Sequence, residues 1–458
     1  MSKEAEEMKM QALLHWAADV GISDAPLLDS DSSSCSLGRS LAVSYFPHAG
    51  GRGLAAVSNL RIGDLVLRVP RAALLTRESV LQDEKIAFCI KKHPHLSSSQ
   101  ILTICLLAEV DKGKGSWWYP YLVLLPMNYN TLANFNEFEI RALQVDDAIW
   151  VSEKAILKAR SDWKECLIVL QEMKLKPKLL SLRSWIWASA TVSSRTLHIP
   201  WDDAGCLCPV GDLFNYAAPD EPCVEDEQQH TEQPDLHAHR LTDGGYEEDS
   251  ASYCFYANKN YHKGEQVLLG YGTYSNLDLL EHYGFVLLSN PNDKAFLPLH
   301  MNINTSKSCP MKDALYIQPD GKPSFALLCA LRLWATPFNN RRAVGHLAYA
   351  GSFLSNENEL LVMRKLAKHC SKVLEELPTT VGNDASLLVI IDKMLESGSH
   401  LGCLQFAFCR DEVVGFMQAN GLKMESSANS LPTAKFMRSL ERWRLSVNWR
   451  FSLIRTSS

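Results

Sequence analysis

Four short segments of the sequence combine polar or aromatic side chains with glycine or with a strand end, and each could bind or act on a small ligand. They are Gly50-Gly51-Arg52-Gly53, Ser194-Arg195, Asp212-Leu213-Phe214-Asn215-Tyr216 and Gly270-Tyr271-Gly272. Glycines leave backbone N–H and C=O groups unscreened by a Cβ atom, so a ligand can approach the chain closely. The spacing of Asp212 and Asn215 lets both side chains face one pocket, where the Asn amide both donates and accepts hydrogen bonds.

Each segment also has an ordinary structural explanation. The first glycines can form a β-turn, Asp212 can close a strand as an Asx turn, and Arg195 can be a solvated surface residue. Taken singly, these three explanations are favoured over a functional one. The alternative for Tyr271 is a buried residue at a hairpin end, although two flexible glycine neighbours raise the entropy cost of ordering it.

The composition is that of a soluble globular protein and excludes several classes. The 458 residues are 46% hydrophobic and 21% charged, and this length favours two or three domains. No apolar run approaches the roughly 20 residues of a membrane helix, and a net charge of −6 provides no global positive field for nucleic acid. The 13 scattered cysteines lack zinc-site spacing and predict reduced thiols without a metal. The acidic N-terminus does not support organelle import, so we expect the cytoplasm, the nucleus or both rather than a plastid.

The hydrophobic pattern predicts β elements on both sides of a long helical stretch. A short N-terminal helix precedes a Ser- and Asp-rich link at 29–36, and strands are expected at 41–46 and 65–69 with a glycine turn between them. Residues 79–194 are mostly helical, further β-type runs lie at 208–213, 253–261 and 266–271, and the chain beyond about residue 298 is helical. An insert at 219–249 with eleven acidic residues and one arginine is expected to be a surface loop.

In their order and spacing, these segments resemble those of SET-domain methyltransferases, specifically the branch of the Rubisco large-subunit lysine methyltransferases and plant SET-domain-group proteins. The resemblance runs from about residue 41 to residue 293. It rests on Gly51-Arg52-Gly53-Leu54, Ser116-Trp117, Leu125-Pro126, Ser194-Arg195, Asp212-Leu213-Phe214-Asn215, Lys263-Gly264-Glu265, Tyr271-Gly272, Ser275-Asn276, Tyr283-Gly284-Phe285 and Asn290-Pro291-x-Asp293.

The resemblance implies an α+β fold. Residues 1–40 would form an N-terminal helix and linker. Residues 41–295 would form a SET domain of small curled β-sheets with a pseudoknot, split by a helical insertion at about 79–194 and carrying the acidic loop 219–249. Residues 296–458 would form the all-α C-terminal substrate-binding domain of that branch.

The resemblance also implies a site for S-adenosylmethionine and a lysine side chain, with no metal. The residues expected to bind the cofactor are Gly50, Gly51, Arg52, Arg195, Asn215, Tyr216 and Tyr283. Those expected around the substrate are Asp212, Arg195, Tyr271 and Tyr283, with Tyr271 as the catalytic tyrosine. Arg195 would meet the cofactor carboxylate, a pairing that suits guanidinium geometry.

One departure from the family pattern concerns Tyr216, which stands where the family usually has histidine. The resemblance implies a protein-lysine N-methyltransferase acting on a non-histone protein. Two alternatives stay open: a histidine methyltransferase, because the branch includes an actin-histidine enzyme, and a catalytically weak or inactive scaffold that binds a protein partner, which Tyr216 favours. We expect a monomer with a protein substrate and neither a membrane nor a nucleic-acid partner. The arginines at 438, 442, 444, 450 and 455 are expected on a solvated helix face. The substrate protein and the degree of methylation stay open.

Overall fold

The computed structural model describes residues 3–24, 37–47, 51–218, 243–296, 314–397, 410–421 and 433–457. Gly50, the link at 29–36 and residues 219–242 of the acidic insert lie outside these described residues. The chain forms two compact units, Met1–Tyr129 with Ala155–Thr273, and Asn130–Lys154 with Tyr274–Ser458. The domain limits expected from the family, at residues 40 and 295, stay a prediction.

Small sheets alternate with helices along the chain, as the α+β prediction requires. The strands are β1 (Leu41–Phe46), β2 (Gly51–Ala56), β3 (Leu65–Pro70), β4 (Thr196–Ile199), β5 (Asp202–Leu207), β6 (Asn215–Tyr216), β7 (Gly244–Glu247), β8 (Ser252–Tyr256), β9 (Gln266–Leu269), β10 (Ala295–Phe296) and β11 (Tyr316–Ile317). The helices are α1 (Lys3–Asp19), α2 (Arg77–Val80), α3 (Glu84–Lys91), α4 (Ser98–Lys112), α5 (Tyr119–Leu122), α6 (Glu137–Arg141), α7 (Asp146–Glu172), α8 (Leu182–Arg195), α9 (Asn276–His282), α10 (Phe325–Ala335), α11 (Arg341–Tyr349), α12 (Asn356–Glu376), α13 (Val381–Ser397), α14 (Arg410–Ala419) and α15 (Ala434–Ser457). None of these described helices combines the length and apolarity needed to cross a bilayer.

The first unit contains the sheets that position the predicted site. One sheet has the order β1-β2-β9-β6, a second has β3-β8-β7, and β4 pairs with β5. In the first sheet β9 runs antiparallel to β2 and parallel to β6, which sets Asn215 beside Leu268 and Tyr216 beside Leu269. Helix α4 begins with a capping box of Ser97 and Gln100 and is buried on almost every side, so it forms the centre of this unit's core.

The second unit is mainly helical, with a core built on α13, α14 and α15. Helix α9 begins with the predicted capping box of Ser275 and Asp278. Arg450 on α15 is completely buried and binds Asp384 at 2.7 Å and Glu412 at 2.9 Å. The expectation that all five C-terminal arginines are solvated is therefore wrong for Arg450, because its charge is neutralised inside the helical core.

The predicted strand at 208–213 is displaced. The strand β5 ends at Leu207, Val210 takes a left-handed conformation with φ of +68°, and Gly211–Leu213 form a 3-10 turn. Pro209 has no N–H to donate, so a ladder cannot continue through it.

Two further local predictions are corrected. The predicted glycine turn is not a turn over Gly51 and Gly53, since both belong to β2, which pairs with β1 from Phe46 and Gly51 onward. Within the acidic insert, residues 244–247 form β7 and pair with β8, and the Tyr246 ring packs edge-on against Trp201 with 4.4 Å between centroids. Acidic composition pointed to a loop, but aromatic packing and strand pairing hold this part in the sheet.

Candidate active site

The centre of the candidate site is a partly buried ion pair between Arg195 and Asp212. Arg195 is the last residue of α8, and Asp212 lies in the 3-10 turn after β5. The Arg195 Nη1 group donates to the Asp212 Oδ2 atom and to the Asp212 carbonyl, each at 3.0 Å. The hydroxyl of Tyr121 donates to the same Oδ2 atom at 2.7 Å. The Asp212 side chain is only 2% exposed, whereas that of Arg195 is 22% exposed.

Two polar atoms of this pair are buried without a hydrogen-bond partner in the part of the chain that the structure describes. They are the Arg195 Nε donor and the Asp212 Oδ1 acceptor. Buried polar atoms are nearly always hydrogen-bonded, so an unpaired donor and an unpaired acceptor within one ion pair can each bind a polar ligand group. The Tyr129 hydroxyl also interacts with the Arg195 guanidinium group, and a ligand carboxylate suits the unpaired Nε atom.

The environment fixes the charge state of the cluster. Burial acts to lower the pKa of the Arg195 guanidinium, but the Asp212 carboxylate outweighs this effect and the pKa rises above its ordinary value. Burial raises the pKa of the Tyr121 hydroxyl, and the adjacent Asp212 charge raises it further. Arg195 therefore stays charged, and Tyr121 stays protonated and able to donate.

Tyr271 lies close enough to this pair for both charges to act on it. Burial raises the pKa of its hydroxyl, Arg195 lowers that pKa in part, and Asp212 raises it. The hydroxyl donates to the carbonyl of Phe214. The Tyr216 ring lies 5.2 Å from the Tyr271 ring, and the Tyr216 hydroxyl donates to the carbonyl of Gly272 at 2.9 Å.

Strand β2 approaches the site through Gly53 and Arg52. The Asn215 Nδ2 group donates to the Arg52 carbonyl at 3.3 Å. A Cβ atom on Gly53 would lie 2.7 Å from Asn215 Nδ2 and 2.6 Å from Gln266 Nε2, so any larger residue would displace these two amides from the strand. The Arg52 side chain binds Glu6 at 2.8 Å and the Leu124 carbonyl at 3.3 Å.

The predicted site residues thus fall into two groups. Arg52, Arg195, Asp212, Asn215, Tyr216 and Tyr271 belong to the first unit, where the contacts above connect them, and Gly51 lies next to Arg52 at the start of β2. Tyr283 belongs to the second unit and packs against Tyr274 at 5.4 Å. Gly50 lies outside the described residues. The role of each residue stays a prediction.

Sequence reasoning missed Tyr121, which donates to Asp212 across 91 positions of sequence. Its only signal is its place in the aromatic cluster Trp117-Trp118-Tyr119-Pro120-Tyr121. It also missed Asp243, which was counted only as part of the acidic insert. Asp243 Oδ2 accepts the Gly270 N–H at 2.9 Å, one residue before Tyr271.

Comparison with solved structures defines the class of fold. The SET domain of LSMT in complex with lysine and AdoHcy aligns over 98% of this chain and 89% of that chain, with a TM-score of 0.59 at 17% identity. The fold is therefore that of a SET-domain protein, as the sequence predicted.

Sequence comparison gives the family. The chain is 49% identical over 466 residues to Protein SET DOMAIN GROUP 40 of Arabidopsis thaliana, covering 99% of this chain and 95% of that protein. The chain belongs to the SET domain group 40 family of SET-domain proteins. It is also 26% identical over 328 residues to the actin-histidine N-methyltransferase of Xenopus tropicalis, covering 68% of this chain and 50% of that protein. No protein-family model matches the chain.

Proposed function

We propose that this SET-domain protein is an S-adenosylmethionine-dependent protein N-methyltransferase whose acceptor is a lysine side chain of a non-histone protein. The observation that carries the proposal is the unpaired Arg195 Nε donor beside Asp212, close to Tyr271. The relatives support it, because the solved LSMT structures contain AdoMet or AdoHcy and lysine.

The residues present fit the cofactor. Arg195 would hold its carboxylate through the free Nε edge, and the backbone of Gly51 and Arg52 with the Asn215 segment would hold the rest. The bound cofactor supplies an activated methyl group on a sulfonium sulfur.

Tyr271 orients the acceptor amine and does not remove its proton. Because burial raises its pKa, the hydroxyl stays protonated at neutral pH, and its proton is donated to the Phe214 carbonyl. The phenolic oxygen keeps lone pairs that can accept an N–H from a neutral amine. A free lysine has a pKa near 10.4, so the amine must lose its proton before reacting, which a partly desolvated site favours. Fixed orientation of this kind supplies several kcal/mol, on the order of 7–11 in ideal cases.

A histidine acceptor is the second candidate, and the identity with the actin-histidine N-methyltransferase favours it. Both acceptors are nitrogen nucleophiles that react in the neutral form, so the cluster around Tyr271 serves either. The distinction lies in the product, which amino-acid analysis identifies.

Two measurements test the proposal. The first is calorimetric titration of the full chain with S-adenosylmethionine, beside Asn215→Ala and Arg195→Ala, both of which we expect to weaken binding. The second is incubation with tritiated S-adenosylmethionine and heat-treated plant extract, followed by acid hydrolysis. Labelled methyllysine supports the proposal, and labelled methylhistidine supports the second candidate. Absence of cofactor binding by the wild-type chain would leave the inactive scaffold as the better explanation.

We also propose that nucleic acid is not a partner. The burial of Arg450 and the contact of Arg442 with the Asn134 carbonyl at 2.6 Å support this, because these C-terminal charges are used inside the helical unit. A monomeric state and a location in the cytoplasm or nucleus stay predictions from the sequence.

A further inference from the structure

The residues on either side of Tyr271 allow its backbone unusual conformational freedom. Glycine precedes and follows this residue, and glycine loses more conformational entropy on folding than any other residue. The hydroxyl contact with Phe214 fixes only the far end of the side chain. Some other group must therefore fix the backbone on each side of Tyr271 if its hydroxyl is to orient an acceptor.

On the carboxyl-terminal side, that group is Tyr216. Its hydroxyl donates to the Gly272 carbonyl at 2.9 Å. On the amino-terminal side, β9 ends at Leu269, and the next N–H, that of Gly270, is accepted by the Asp243 Oδ2 atom at 2.9 Å. The two glycines that flank Tyr271 are thus each held by one side chain.

Asp243 is itself held in place by its neighbours. Its carbonyl accepts the Tyr256 N–H at 2.7 Å, which aligns it with β8, and β7 begins at the next residue. Its Oδ2 atom also accepts a hydrogen bond from Asn258 Nδ2 at 2.9 Å. Tyr261 donates to Asn258 Oδ1 at 2.6 Å and receives the Leu268 N–H at 3.3 Å, so the same network reaches β9 two residues before Gly270.

Glycine at position 270 favours this contact. A Cβ atom there would lie 3.2 Å from the Asp243 Oδ2 atom, which is closer than ordinary van der Waals contact. The carboxylate can approach the N–H at hydrogen-bond distance because nothing projects from the Cα atom.

We propose that Asp243 is a positioning residue for Tyr271, acting through the Gly270 N–H. The proposal rests on the proposed function, since it assigns Asp243 to the orientation of the acceptor by Tyr271. Asp243 does not touch the reacting atoms. Its loss would free the backbone before Tyr271 and weaken the contact that holds the hydroxyl against the Phe214 carbonyl.

The test uses the full chain carrying 3-fluorotyrosine at position 271, observed by fluorine NMR, together with methyl transfer from tritiated S-adenosylmethionine to heat-treated plant extract. Asp243→Ala removes the acceptor. Asp243→Asn keeps an oxygen that can accept the same two N–H groups while removing the charge. Glu248→Ala is the matched control, because it removes an exposed acidic side chain from the same segment.

We expect Asp243→Ala to broaden or split the fluorine resonance and to lower the turnover rate by roughly 10- to 100-fold, the loss typical of a misplaced reacting group. The KM for S-adenosylmethionine should stay near the wild-type value, because Arg195 and Asn215 are untouched. Asp243→Asn and Glu248→Ala should keep the wild-type resonance and most of the turnover.

Gly270→Ala provides a second perturbation if Asp243→Ala does not fold, since it retains Asp243 but crowds its carboxylate, which must shift by a few tenths of an ångström from its place at the N–H. It should shift the same fluorine resonance. A wild-type resonance in whichever of the two variants folds, with wild-type turnover, would overturn the proposal. If the wild-type chain transfers no methyl group but the resonance still responds to these changes, the positioning role stands and the proposed methyltransferase function fails.

Discussion

Replacing Arg195 should weaken S-adenosylmethionine binding and destabilise the fold, and the two effects can be separated. The Nε donor is the atom available to a ligand carboxylate, whereas Nη1 is engaged by Asp212. A hydrogen bond to a charged group contributes about 1.5–3 kcal/mol. At 1.4 kcal/mol per factor of ten, Arg195→Ala should raise the dissociation constant by roughly 10- to 150-fold.

The cost to stability follows from the burial of Asp212. Removing one partner of a buried ion pair costs about 3–5 kcal/mol. Arg195 is 22% exposed and Tyr121 still donates to Asp212, so the lower end of that range applies. Urea unfolding of Arg195→Ala without cofactor should therefore show a loss near 3 kcal/mol.

Two further variants separate the ion pair from ligand binding. Arg195→Lys keeps a positive charge near Asp212 but has no planar donor edge, so it should retain part of the stability and still bind the cofactor weakly. Asp212→Asn should lose stability while its cofactor affinity is maintained. The charge at position 212 then no longer competes with the cofactor carboxylate for the Arg195 guanidinium group. Calorimetry would refute the assignment if Arg195→Ala bound S-adenosylmethionine as tightly as the wild-type chain.

Three other changes have defined outcomes. Tyr271→Phe should lower turnover by roughly 100-fold with cofactor affinity retained, which labelled methyl transfer and calorimetry together measure. Tyr216→Phe should cost about 1 kcal/mol of unfolding free energy through the lost Gly272 contact, and its cofactor affinity should be unchanged if position 216 acts through its backbone. Arg450→Met should lose about 3–5 kcal/mol in urea unfolding, whereas the exposed Arg455→Met should change little. Burial raises the pKa of Asp384 and Arg450 lowers it in part, so Arg450→Met should raise that pKa further. The variant then gains more stability than the wild-type chain when the carboxyl is protonated, and its loss should be smaller in mild acid than at neutral pH.

The family and the order of sheets and helices could be predicted from the sequence. Each matched segment is short and local, and the distances between segments can be read from a single sequence. The SET-domain prediction and the α+β class are confirmed. The capping box at Ser275 is likewise confirmed, since its partner stands three residues away. Local signals of this kind need no knowledge of tertiary packing.

Contacts between distant positions could not be predicted in this way. Sequence reasoning placed Arg195 and Asp212 in one site but did not foresee that they bind each other, and it had no reason to add Tyr121. The three residues meet only because α8, α5 and the turn after β5 pack together. The assignment of the acidic insert to a loop failed at 244–247 for a related reason, since the pairing of β7 with β8 is decided by tertiary contacts and not by composition.

The segments that match the family pattern also differ in what their side chains do, and their hydrogen bonds show the difference. Asn276 is completely buried, and its amide donates to Asp293 at 2.7 Å, to the Leu287 carbonyl at 2.9 Å and to Ser452 at 3.1 Å, while its Oδ1 atom accepts the Leu287 N–H at 3.0 Å. A side chain whose donors and acceptors are satisfied within its own unit offers nothing to a ligand, so the resemblance at Ser275-Asn276 and Asp293 reflects folding of the second unit. Arg195 and Asp212 instead keep one unpaired atom each within the described chain. Equal agreement with a family pattern therefore carries unequal weight for function, because Arg195 and Asp212 keep polar atoms available to a ligand whereas the Asn276 side chain does not.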